Sequence, residues 1–242
     1  MTTRIVVTML ILLAMASVAI RQDNVANACP DESRLLEIGE FHGHEVEAQT
    51  GETWLGLHIS EGESMLLDYQ LTVEAVHDPI VDDPGESTGK KVSVDLPLEP
   101  RFLIATEWLS AGAVQTVLEG SYEKTLGPMS PVKLKLEHAS YELKVVGSEE
   151  EEKCENDGLP KNAKLVLASG EIEQILYSLE ECGDDPAWFL LWAGDLDRDG
   201  KLDFYVSVKQ HYNVSEKRLF LSTAAGEGQL VEQVAEFVTT GC

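Results

Sequence analysis

The chain has 242 residues, of which 43 are Asp or Glu and 18 are Lys or Arg, so its formal net charge is −25 at pH 7. A surface this acidic repels phosphate backbones and anionic lipid headgroups. The composition therefore argues against nucleic acid as a partner and favours divalent cations. The length allows one large β domain or two small ones that share a core.

The first 28 residues have the layout of a secretory signal peptide. Arg4 precedes an apolar run from Ile5 to Ile20, which is too short to span a membrane comfortably. Small residues allow cleavage after residue 19 or after residue 28. We therefore expect a periplasmic or secreted protein with no stable membrane span once the leader is removed. Cys29 directly follows the second cleavage position, so anchoring as a lipoprotein through Cys29 is the alternative.

Four cysteines lie beyond the leader. An even number in an exported chain predicts two disulfides, for which three connectivities exist. We favour Cys154–Cys182, which staples the start of the second half, together with Cys29–Cys242, which ties the mature N-terminus to the last residue. The chain has no Cys-x-x-Cys spacing, so neither a redox centre nor a zinc ribbon is expected.

Residues 29–150 predict an N-terminal β-rich domain. Val132 and Leu134 alternate with Lys133 and Lys135, which is the period of a half-buried strand. The segment Trp108–Gly120 fits either a strand or a short helix. The other predicted strand segments of this half are Thr53–Ile59, Met65–Val76, Lys90–Leu96, Arg101–Leu109 and Val132–Val146.

Residues 151–242 predict a second β domain. The charge run Ser148–Asn156 marks the boundary, although an exposed loop within one domain explains it equally well. Apolar runs separated by short turns predict antiparallel sheets. No pattern repeats along the chain, which rules out a complete propeller. Glu232–Phe237 also fits a short helix. The predicted strands are Ala163–Ser169, Glu171–Leu179, Ala187–Gly194, Lys201–Gln210, Lys217–Thr223 and Gln229–Thr239.

Two tryptophans, Trp188 and Trp192, belong to the predicted strand Ala187–Gly194. They lie four residues apart, so the alternation of side chains along a strand predicts that they share one face. Their neighbours are Phe189, Leu190 and Leu191, which favours packing in the core over stacking on a carbohydrate.

The segment Asp195–Asp203 carries the one specific signal for a site. Carboxylates at alternate positions point inward when the chain curls around an ion, and Gly200 permits the tight turn. Calcium is a hard cation that prefers six to eight oxygens, magnesium demands a stricter octahedron, and zinc or copper favour softer ligands. Turn preference explains only one or two of the aspartates. The predicted calcium ligands are the side chains of Asp195, Asp197, Asp199 and Asp203 and the carbonyl of Lys201.

The loop is not an EF-hand, because Val206 stands at the twelfth position, where an EF-hand has a bidentate Glu. Both flanks also predict strands. The segment Ala193–Ser207 instead resembles the repeat unit of FG-GAP/VCBS-type proteins, which carry Gly-Asp-x-Asp-x-Asp-Gly-x-x-Asp between two strands and bind calcium there. The resemblance covers about Phe189–Phe237 and implies the same ligands. A single copy is present, so the propeller of that family and its ligand-binding roles are not implied. The chain is similar to exported bacterial proteins that end in such a motif.

No nucleophile elbow, His-Glu-x-x-His motif or phosphate-binding loop is present in the sequence. We expect an exported, non-enzymatic binding module for an unknown protein or surface component, with calcium in a structural role. A bound ion ties two strand ends together and adds its binding free energy to folding stability. The alternative is a hydrolase of an envelope or extracellular polymer, which needs two loop carboxyls at catalytic separation.

Overall fold

The computed structural model describes residues 33–60, 62–118, 123–147, 154 and 159–241. This part of the chain forms sixteen strands and no helix, which confirms the predicted mainly β fold. Every strand pairing is antiparallel. In chain order the strands are β1 (Arg34–Leu36), β2 (Gly39–Phe41), β3 (Thr53–Ser60), β4 (Glu63–Val76), β5 (Gly89–Val94), β6 (Leu103–Ala105), β7 (Gly112–Thr116), β8 (Lys124–Leu126), β9 (Val132–Leu136), β10 (Ala139–Val146), β11 (Lys164–Ser169), β12 (Ile172–Ser178), β13 (Ala187–Asp195), β14 (Asp203–Lys209), β15 (Val214–Leu221) and β16 (Glu232–Thr240).

The larger of two sheets has twelve strands and nearly closes on itself. Its main path runs β1-β6-β3-β4-β7-β13-β14-β15-β16, and the two end strands lie next to each other. Strand β5 pairs with the second half of β4, β2 pairs with β5, and β8 pairs with the first half of β13. Strands from both predicted halves of the chain therefore share this sheet.

The smaller sheet has four strands in the order β12-β11-β10-β9. Its central pair, β10 with β11, joins strands from either side of residue 150, where the sequence predicted a domain boundary. The run Val132–Val146 forms two strands, because the chain reverses at Glu137 with a left-handed φ of 50°. Of the charge run Ser148–Asn156, only Cys154 is among the described residues.

Strand β14 is buried on both faces and separates two hydrophobic cores. Phe204, Val206 and Val208 pack into the core shared with the smaller sheet. Tyr205 points the other way, into the interior of the larger sheet, where its ring lies 4.9 Å from that of Phe102. A strand covered on both sides has no polar face, which explains why this segment is apolar almost without interruption.

The two tryptophans of β13 lie in different cores. The register between β13 and β14 shifts at a bulge between Leu190 and Trp192. Trp188 therefore packs in the core between the sheets, and Trp192 packs inside the larger sheet. Burial of both side chains confirms the predicted core packing. The predicted shared face is wrong, because an extra residue in a strand reverses the direction of the side chains beyond it.

The disulfide Cys154–Cys182 is present, with Cα atoms 5.5 Å apart, as predicted. It ties the segment before β11 to the connection between β12 and β13. Cys29 and Cys242, like the predicted leader, lie outside the described residues. Nowhere in the described ranges is there a helix long and apolar enough to cross a membrane.

Removing the Cys154–Cys182 bridge is expected to destabilise the fold by about 3–4 kcal/mol, because the two cysteines are 28 positions apart and the bridge restricts the unfolded chain. The measurement is urea unfolding of the Cys154→Ala/Cys182→Ala double variant beside the oxidised wild type. An unchanged midpoint and slope would show that the bridge adds nothing to stability.

Candidate metal centre

The acidic loop connects β13 to β14, which are adjacent strands of the larger sheet. Gly194 pairs with Asp203 across this hairpin and with Thr116 on its other side. A Cβ at Gly194 would lie 2.0 Å from the carbonyl oxygen of Gln115, so only glycine lets β7 approach here. Gly200 adopts the left-handed φ of 81° that the sequence predicted for the tight turn. Glycine is therefore required at the start of the loop, where β7 packs closely, and at the tight turn within it.

Three of the predicted ligands converge. Carboxylate oxygens of Asp195, Asp197 and Asp203 all lie within 4.8 Å of one another. Asp203 is fully buried, and Asp195 is only 9% exposed. Carboxylates this close and this poorly hydrated repel each other strongly, and a shared cation between them relieves that repulsion.

Backbone amides of the loop hold the two buried carboxylates in place. Asp195 accepts hydrogen bonds from the amides of Asp199 and Gly200, each at 3.0 Å. Asp203 accepts one from the amide of Leu196 at 2.6 Å and another from Asp197 at 3.2 Å. Each Asp195 oxygen accepts one hydrogen bond and keeps a further lone pair. The network therefore orients both carboxylates and leaves the oxygens of Asp195 free to contact a cation.

A second segment, Ser222–Thr223 directly after β15, completes the wall of the site. The amide of Ser222 donates to Asp203 at 2.7 Å, and its hydroxyl donates to the same oxygen at 2.9 Å. The amide of Thr223 donates to Asp197 at 3.2 Å. Sequence reasoning missed both residues, since a Ser-Thr pair at the end of a strand is common. The pairing of β14 with β15 is what brings them here.

The other two predicted ligands are placed differently. Asp199 is not part of the converging group. Its carboxylate accepts a hydrogen bond from the amide of Lys201 at 2.8 Å and pairs with the Lys201 ammonium at 3.2 Å. It also shares the single hydroxyl proton of Ser222 with Asp203, at a distance of 3.0 Å from the Ser222 oxygen. Burial raises the pKa of Asp199, but these contacts outweigh it and hold the pKa below its ordinary value. Ligation by the Lys201 carbonyl stays a prediction.

The charge of the converging group depends on whether a cation is bound. Burial, and after it the charge of the neighbouring Asp197, raise the pKa of Asp203 to about 7. The pKa of Asp197 is also raised, first by burial and then by the charges of Asp199 and Asp195. Near neutral pH the ion-free Asp203 is therefore partly protonated. A metal ion bound here would take the place of that proton.

Arg198 fastens the tip of the loop to the rest of the larger sheet. It adopts a left-handed φ of 67°. Its guanidinium donates to the hydroxyl of Ser110 at 2.8 Å, to the Ser110 carbonyl, and to the carbonyl of Ala111 at 3.3 Å. The loop is thus held from the β6–β7 connection as well as from its own strands.

No second group of three acidic, histidine or cysteine side chains converges in this way within the described ranges. His42 and His44, a histidine pair in the sequence, stack with ring centroids 5.9 Å apart. The Nδ1 atom of His42 contacts the buried carboxylate of Asp78. That contact raises the pKa of His42 and lowers the pKa of Asp78. His42 therefore forms an ion pair with Asp78. Together with His44 it offers no three-ligand site among the described residues.

No protein-family model, no curated protein and no solved structure matches this chain. The geometry of the acidic loop and the chemistry of its carboxylates are therefore the features that indicate a function.

Proposed function

We propose that this chain is an exported calcium-binding protein in which a structural ion holds the β13–β14 loop, and that it acts as a non-enzymatic binding module for a protein or surface component. The observation that carries the proposal is the convergence of Asp195, Asp197 and Asp203 within 4.8 Å at a largely buried position. The resemblance of Ala193–Ser207 to the calcium loop of FG-GAP/VCBS-type proteins supports it.

The chemistry of the site favours calcium over other cations. The converging ligands are all carboxylate oxygens, the hard donors that calcium and magnesium prefer, and the group contains neither imidazole nor thiolate. Calcium accepts irregular geometry and seven or eight oxygens, whereas magnesium requires a compact octahedron. A loop whose carboxylates are fixed by backbone amides fits the more tolerant ion.

The ion's position gives it a structural role. Asp203 begins β14, Asp195 ends β13, and the amide of Thr223 beyond β15 holds Asp197. A cation at this point connects three consecutive strands of the sheet. Export fits the disulfide Cys154–Cys182, since disulfides persist in oxidising compartments.

Calcium is expected to raise the melting temperature by roughly 5–10 °C at a concentration about 100 times its dissociation constant, because it binds the folded state alone. The measurement compares melts in calcium and in chelator. Magnesium at the same concentration is expected to give a smaller shift. In Asp197→Asn the calcium shift is expected to shrink by at least half, because one charged ligand is lost.

The matched control is Asp68→Asn, since Asp68 is an exposed carboxylate on β4, outside the acidic loop. Its calcium shift should equal that of the wild type. Equal melting temperatures for the wild type in calcium and in chelator would contradict the proposal, and equal shifts for Asp197→Asn and Asp68→Asn would place the ion elsewhere.

A further inference from the structure

A cavity of about 630 Å³ lies beside the interior core of the larger sheet, and none of its lining residues belongs to the acidic loop. Part of its wall is apolar and comes from Ile59 on β3 and from Phe189 and Leu191 on β13. Ile59 is 37% exposed although it belongs to a strand with several buried residues. The volume is in the range of pockets that hold small organic molecules.

Cationic side chains meet in this cavity, although the whole chain carries a charge of −25. They are Arg101, Lys209 and Lys217. Lys217 pairs with Glu37, and the hydroxyl of Tyr205 also donates to Glu37 at 2.9 Å. Arg101 and Lys209 have no carboxylate partner within 4 Å among the residues that the structure describes.

Two polar groups at the cavity also lack a partner. The Nε atom of Arg101 is buried and makes no hydrogen bond. Ser207 is 7% exposed and lies on β14 between the strands that carry Phe189 and Lys217. Its hydroxyl makes no hydrogen bond with any described residue. Buried polar groups in folded proteins are normally satisfied, so the unpaired Arg101 Nε–H is an exception in this wall, and the Ser207 hydroxyl is free to donate to an acceptor in the cavity.

The remaining acidic residues of the wall, Glu99 and Glu123, are exposed. Their charges are screened by water, whereas Arg101 and Lys209 are only partly exposed and Lys217 is balanced by Glu37. The less hydrated part of the cavity is therefore positive, and it adjoins an apolar wall.

We propose that this cavity binds a small organic anion with an apolar body. The anionic head, a carboxylate or a sulfonate, accepts hydrogen bonds from Arg101, Lys209 and the Ser207 hydroxyl. The apolar body lies against Ile59, Phe189 and Leu191. This site is separate from the calcium loop and does not depend on the function proposed for that loop.

The test uses 8-anilinonaphthalene-1-sulfonate as the probe, with the full chain in calcium-containing buffer. We expect saturable binding of one probe per chain, measured by its fluorescence. The concentration of octanoate that displaces the probe is expected to be lower than that of 1-octanol by roughly tenfold or more. The reason is that charge-assisted hydrogen bonds to the anionic head strengthen binding by that factor. Lys209→Gln and Arg101→Gln are each expected to weaken probe binding by roughly tenfold.

Lys164→Gln serves as the matched control, because Lys164 is an exposed lysine on β11, outside the cavity. Near-ultraviolet circular dichroism establishes that each variant is folded. The proposal is overturned by a lack of saturable binding, by wild-type affinity in both cavity variants, or by equal displacement with octanol and octanoate.

Discussion

Asp203→Ala is expected to lower the free energy of unfolding by about 3–5 kcal/mol even in chelator, and to abolish the response to calcium. The Asp203 carboxylate accepts hydrogen bonds from the amides of Leu196, Asp197 and Ser222 and from the Ser222 hydroxyl. Alanine leaves these donors without an acceptor at a fully buried position, and each orphaned donor costs about 1–3 kcal/mol. Relief of repulsion with Asp197 offsets only part of that loss.

The measurement is urea unfolding of the wild type and the variant, each in calcium and in chelator. Asp68→Ala is the control, because its exposed carboxylate is expected to be worth less than about 0.5 kcal/mol. If Asp203→Ala unfolded at the wild-type urea concentration in chelator, the hydrogen bonds to Asp203 would not be supporting the hairpin. If the variant kept the full calcium response, Asp203 would not be a ligand.

The acidic loop could be predicted from sequence because its information is local. Aspartates at fixed spacing and Gly200 lie within one short segment, and the structure brings Asp195, Asp197 and Asp203 together. The β fold was predictable for a similar reason, since period-two alternation is read directly from the chain. The cysteine count predicts disulfides but not their pairing, so Cys154–Cys182 was a preference among three connectivities.

The remaining features depend on contacts between distant segments. Ser222 enters the site only because β15 pairs with β14, and Arg198 reaches Ser110 across 88 positions. The bulge that separates Trp188 from Trp192 has no marker in the sequence. The cationic cavity collects Arg101, Lys209 and Lys217 from separate parts of the chain through the near closure of the larger sheet. No local spacing encodes these arrangements.

The stabilisation by calcium is expected to grow as the pH rises from 5 to 8. In the ion-free protein the pKa of Asp203 is raised from 3.8 to about 7, mainly by burial. The folded state therefore binds the proton more tightly than the unfolded state does. The tighter binding of this proton adds about 4 kcal/mol to the free energy of unfolding of the ion-free protein below pH 3.8. That stabilisation is lost as the pH rises to about 7. Calcium requires the ionised carboxylate, so below pH 7 its binding must release the proton, and its affinity falls by up to about tenfold per pH unit.

The measurement is the difference between the melting temperatures in calcium and in chelator across this pH range. The pKa of His42 is also raised, so its ion pair with Asp78 stabilises the fold at low pH and weakens as the pH rises. That effect is the same with and without calcium, so the difference between the two melting temperatures removes it. Asp203→Asn carries no titrating group at this position, so any calcium shift that it retains should vary much less with pH. A wild-type difference that stays constant from pH 5 to 8 would mean that calcium and the proton do not compete for Asp203. The buried carboxylate would then not be a ligand, and the ion would have to be held by Asp195 and Asp197 alone.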